Sequence, residues 1–191
     1  MAQEGCYCSH EHPPRLSWKG GSSRLAFHKR RFDILRGGFK FVGDVSHWWL
    51  PYLDTLLDSD NDVRVVVMKR DRDATVDSFM KIKGGPGKGA INHWIDHDGS
   101  FWARNIWDEC YPSYDTSDMK GAIERYWDDY YGTVDSLIHR FPTSIRVFLT
   151  EQLGDPEIQA ELLSFSGFMN PCLKTDLYLN KGDALDGLHM Y

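Results

Sequence analysis

The run VRVVVMKRDRDATVDSFM, Val63 to Met80, decides the fold. Val63 to Met68 is short, almost unbroken in apolar character and rich in valine. That pattern predicts a strand buried on both faces, as in a parallel sheet. The run stops at Lys69-Arg70, and Asp71, Asp73 and Thr75 bring capping chemistry and acid to a first helical turn. Val76, Phe79 and Met80 give the helix its apolar face. A strand therefore feeds a helix through a basic, polar turn. In open α/β sheets ligands bind at such strand carboxyl ends, and the unpaired N–H groups of a helix start favour an anion such as phosphate. Arg70 supplies a forked, permanently charged donor, and Ser78, about two helical turns in, adds a neutral hydroxyl. The plain alternative is a strand-to-helix junction decorated with surface salt bridges.

The chain around this unit alternates strand and helix signals. Gly5 to Ser9 reads as a short strand ended by Pro13-Pro14. Arg24 to Arg36 reads as a helix with Leu25, His28, Phe32 and Leu35 on one face and Gly37-Gly38 as its stop. Phe39 to Val42 is a strand, and Ser46 to Leu57 carries a helical stripe with Pro51 in its first turn. Residues 89–115 show no period but hold Trp94, Trp102, Trp107, Tyr111 and Tyr114, a composition that suits either a binding loop or rings packed on the sheet. His93 and His97 in that stretch read as loop residues rather than metal ligands. Ser117 to His139 is the longest helix, Ile145 to Leu149 a further strand, and Asp155-Pro156-Glu157 a strong helix start before a stop at Gly167. This order predicts one α/β domain over residues 1–191, a three-layer sandwich with a mostly parallel sheet.

Bulk properties narrow the function. A net charge of −6 argues against general nucleic-acid binding. The charge is uneven: residues 19–40 hold seven Lys/Arg and one Asp, whereas residues 104–135 hold three Lys/Arg and eight Asp/Glu, so an anionic ligand would meet the first region. Four scattered cysteines, Cys6, Cys8, Cys110 and Cys172, fit free thiols in a reducing compartment. Cys6, Cys8, His10 and His12 invite a zinc reading, but no second ligand pair has suitable spacing, and no metal is expected. No apolar run is long enough to span a membrane and the N-terminus lacks an apolar core, so the expected location is the cytoplasm.

The Arg70-Asp71 to Ser78 pattern after an apolar strand resembles the 3′-phosphate-binding segment of the sulfotransferases that use 3′-phosphoadenosine-5′-phosphosulfate (PAPS), with Arg72 where the family carries proline. RFPTSIRVFLTEQLGDPEIQAELLSFSGF, residues 140–168, resembles that family's late strand, acidic turn and Asp-Pro helix. FKFVGDVSHWWLPYL, residues 39–53, resembles the segment before the organising strand. Asn180-Lys181-Gly182 is similar to the Arg-Lys-Gly run that helps hold the 3′-phosphate and adenine, without its arginine. The resemblance covers roughly residues 39–182 and implies a fold like the nucleotide kinases and sulfotransferases, with PAPS as co-substrate and adenosine 3′,5′-bisphosphate as product.

The family's 5′-phosphosulfate loop has two placements. Lys19-Gly20-Gly21-Ser22-Ser23 is a degenerate candidate, in which lysine would neutralise the bridging oxygen and the glycines would turn backbone amides to the phosphate. No apolar strand precedes it. Alternatively, Cys6 to Glu11 resembles the family's second strand, which ends in the catalytic carboxylate of tyrosylprotein sulfotransferases. The first strand and phosphate loop would then lie before Met1, outside this sequence. The resemblance thus implies transfer of a sulfuryl group to an acceptor hydroxyl, with Glu11 or His10 as the base, Arg70, Ser78, Lys181, Gly182 and Lys19 on the donor, and no metal. The other class left open is a non-catalytic remnant that binds an adenosine phosphate or a protein partner. The acceptor and the oligomeric state have no signature in the sequence.

Overall fold

The computed structural model describes residues 3–83, 92–95, 107–169 and 171–173. Strand β1 (Cys6–His10) is followed by helix α1 (Ser22–Arg36) and strand β2 (Phe41–Val45). A 3-10 turn (His47–Tyr52), with Pro51 inside it, continues directly into α2 (Leu53–Ser59). Then come β3 (Val65–Lys69), α3 (Arg72–Lys83), α4 (Met119–Arg140), β4 (Ile145–Leu149) and α5 (Pro156–Phe165). Each predicted element is present to within a few residues.

The strands form two separate two-stranded sheets among the described residues, not one continuous sheet. β1 pairs parallel with β2, Cys6 opposite Phe41 and His10 opposite Val45. β3 pairs parallel with β4, Val65 opposite Ile145 and Lys69 opposite Leu149. The architecture is mixed α/β with small parallel pairs. The expectation that β3 is buried on both faces holds only at Val67; its other residues are half-buried.

Local chemistry explains the helix starts. Asp71 caps α3, its Oδ1 accepting the Ala74 N–H at 2.9 Å while its carbonyl accepts the Thr75 hydroxyl at 2.7 Å. Asp155 caps α5 through the Glu157 N–H at 2.8 Å, with Pro156 at the first helical position. Gly167 ends α5 at φ +96°, and its N–H and that of Phe168 bond back to the carbonyls of Ser164 and Leu163. Phe168 then stacks on Phe41 of β2, with ring centroids 4.2 Å apart.

The core has two clusters. Val67 and Ile145 of the β3–β4 pair are buried with Leu16, Leu25 of α1, Trp48 of the 3-10 turn, and Val134 and Leu137 of α4, and a second cluster holds Val76, Trp94, Ala122, Ile123 and Tyr126. Trp18, Tyr111 and Tyr130 pack against both clusters and connect them. Among the described residues no helix is long and apolar enough to cross a membrane.

Candidate functional site

The carboxyl ends of β1 and β2 are locked together by one carboxylate. Asp44 accepts from the Ser9 hydroxyl at 2.5 Å, the His12 N–H at 3.3 Å and the Trp49 indole at 3.0 Å. Arg31 of α1 donates to Ser9 Oγ at 2.9 Å and to the Tyr7 hydroxyl at 3.1 Å. Glu11, the next residue after β1, extends the ladder by donating its N–H to the Val45 carbonyl at 2.9 Å. Its φ of 51° lies in the left-handed region, uncommon for a non-glycine residue. Such backbone outliers concentrate at functional sites.

His47, two residues past β2, completes this corner. Its Nε2 lies 3.1 Å from the Cys110 carbonyl, which can only accept, so Nε2 carries the hydrogen. The lone pair of the neutral ring is then on Nδ1, 3.7 Å from Glu11 Oε1. A proton arriving at Nδ1 would face a carboxylate. Tyr111 stacks on His47 at 4.4 Å and on His93 at 5.0 Å. Burial, then the Glu11 charge, pushes the Tyr111 hydroxyl far above its ordinary pKa. It is a neutral donor at any ordinary pH.

The Tyr111 ring leads to a second polar line. His93 is almost wholly buried, with Nδ1 2.7 Å from Asp108 and Nε2 2.9 Å from Lys83 Nζ at the end of α3. Burial pushes the His93 pKa down, against the raising influence of its Asp108 hydrogen bond. Burial likewise pushes Lys83 down, although the charges of Asp108 and Glu11 oppose it. Among the described residues no group of three or more His, Cys, Asp or Glu side chains is placed to hold a metal ion.

The residues singled out from sequence fall in different places. Glu11 sits inside this cluster, whereas the His10 side chain is 74% exposed, 3.9 Å from Glu11. Arg70 is exposed at the end of β3, its carbonyl accepting the Trp127 indole at 3.2 Å. Arg72, by contrast, is committed to Asp128 through two 2.9 Å bonds, with Glu124 at 3.8 Å. Ser78 is half-buried in mid-α3. Lys19 is exposed in the turn before α1, where Gly20 takes φ +91° and Gly21 φ +149°. Lys181 and Gly182 lie outside the described residues, as do His97 and Trp102. A shallow cavity of about 270 Å³ lined by Asp73, Val76, Asp77 and Lys120 contains none of these groups.

Sequence reading did not single out His47, Lys83 or Asp108, and took His93 for an ordinary loop residue. His47 had a usable signal, since it follows a strand end as Arg70 does. The Lys83–His93–Asp108 line had none, because fifteen aperiodic positions separate His93 from Asp108. No protein-family model, curated protein or solved structure matches this chain.

Proposed function

We propose that this chain is a sulfotransferase-like protein that binds PAPS or adenosine 3′,5′-bisphosphate and directs a sulfuryl group to an acceptor hydroxyl. The observation that carries the reading is the Glu11–His47 contact at the carboxyl ends of two paired parallel strands. A carboxylate beside an imidazole is suited to taking the proton of an attacking hydroxyl. The finer fold of this reading is a three-layer sandwich about a mostly parallel sheet, with β1–β2 and β3–β4 as flanking pairs.

Geometry along α3 supports the donor placement. Arg70 and the capped helix start stand at one end, and Lys83, within electrostatic reach of Glu11, at the other. Twelve residues make α3 about 18 Å long, and Ser78 lies partway. A donor gripped by Arg70 and Ser78 through its 3′-phosphate would point its 5′ end toward Glu11. Arg70 suits this role and Arg72 does not, because Arg72 is already neutralised by Asp128. Lys19 to Ser23 would meet the 5′-phosphosulfate. Among the described residues no strand leads into that turn, which favours a second reading: an adenosine-phosphate-binding remnant without turnover.

Calorimetry separates these readings. Arg70→Ala is expected to weaken adenosine 3′,5′-bisphosphate binding by about 1.5–3 kcal/mol, roughly 10- to 150-fold, and to leave adenosine 5′-monophosphate nearly unchanged. Equal loss for both ligands removes Arg70 from a 3′ site. No binding by the parent chain refutes both readings, and binding without sulfuryl transfer leaves the second.

A further inference from the structure

In the sulfuryl-transfer reading Lys83 only marks the end of α3 nearer Glu11, and the Lys83–His93–Asp108 line has no chemical role there and does not rest on that reading. Its parts stand in the order of an activated nucleophile. The Lys83 nitrogen is 2.9 Å from His93 Nε2, and the opposite ring nitrogen is 2.7 Å from an Asp108 carboxylate oxygen. A carboxylate accepts from Nδ1–H, which leaves the lone pair of His93 on Nε2, aimed at the lysine. Nucleophile, base and orienting group within hydrogen-bond reach of one another are the geometric signature of covalent catalysis. His93 is held flat by Tyr111, whose ring is 6° from parallel to it.

We infer that Lys83 is a reactive amine that condenses with the carbonyl group of a small, uncharged aldehyde or ketone. His93 Nε2 takes one proton from the Lys83 ammonium. The freed lone pair bonds to the carbonyl carbon, and the π pair moves to oxygen. A proton of the amine passes to that oxygen, giving a carbinolamine. His93 returns its proton to the hydroxyl, which leaves as water, and a protonated imine remains. Burial of the lysine, which disfavours its charged form, acts in the same direction. Glu11 and Asp108 both raise the proton affinity of Lys83, so two carboxylates stand near it and an anionic keto acid is repelled. The competing structural account makes Lys83 a cation that only complements the carboxyl end of α3. That account assigns no role to a buried histidine between it and an aspartate.

Reductive alkylation distinguishes them. The full chain is treated with propanal and sodium cyanoborohydride from pH 6 to 10, and each lysine is quantified by peptide mass spectrometry. At pH 7 Lys83 is expected to react at least tenfold faster than exposed Lys120, with its rate levelling off at lower pH. Glyoxylate in place of propanal is expected to lose that preference. His93→Gln is expected to bring Lys83 down to the rate of Lys120. If His93→Gln does not fold, the pH profile of the parent chain decides. A Lys83 profile that overlays that of Lys120, or equal preference for glyoxylate, overturns the inference.

Discussion

Gly167→Ala tests the junction that ties the two sheets together. Gly167 adopts φ +96° as it ends α5, and a Cβ built there would lie 2.9 Å from Cε1 of Phe41. Two costs follow. A side chain in the left-handed region costs about 1–2 kcal/mol. Crowding the Phe41 ring adds about 1–3 kcal/mol, because Phe41 is stacked on Phe168 and has little room to retreat. Reduced freedom of the unfolded chain returns about 0.4–1 kcal/mol. The net loss is about 1–4.6 kcal/mol, or roughly 2–18 °C in Tm for a chain of this size. Urea unfolding followed by tryptophan fluorescence and by circular dichroism gives the value. The two probes are expected to shift together, since the buried cluster joins β3 and β4 to α1 and to the His47–Tyr52 turn, the elements that flank β2 in the chain. Gly132→Ala is the matched control: it lies in α4 with nothing near its built Cβ, and is expected to stabilise by about 0.8–1 kcal/mol. A Gly167→Ala change within about 0.5 kcal/mol of zero, the range of neutral surface substitutions, would refute the packing described at Phe41. Two resolved transitions would refute the shared core.

Two further outcomes follow from ionisation. The Asp62 N–H and then the Arg36 guanidinium hold the Asp60 carboxyl below its ordinary range, so the ionised form is favoured in the fold. Its contribution is full above the unfolded carboxylate's pKa of about 3.9 and is lost as pH falls through the lower folded value. The stability gap between the parent and Asp60→Asn should therefore close in acid; a gap constant from pH 6 to 2 would contradict this. Burial pushes the Cys110 thiol up to about 11. Iodoacetamide at pH 8 should modify exposed Cys172 and spare Cys110 until urea is added, and equal labelling in the native state would contradict the burial.

The sequence by itself determined the local elements. Valine at 65–67, the Asp71 and Asp155 caps, Pro156 and Gly167 each act within a few residues, so the strand, both helix starts and the helix stop were legible without coordinates. The α1 face of Leu25, His28, Phe32 and Leu35 followed from the helical period; tertiary packing buries Leu25 and His28, packs Phe32 on the core and leaves Leu35 half-buried outside it. Glu11 was reached through resemblance, not through its neighbours. Only the tertiary structure decided how the strands divide into two pairs, because a parallel strand's partner lies a whole crossover away and leaves no periodic trace between. The same holds at the site. His47 meets Glu11 across 36 positions, and Lys83 meets His93 and Asp108 across a stretch with no repeat. Residue type alone cannot announce such contacts, since their energy comes from burial and orientation that exist only once the chain has closed around them.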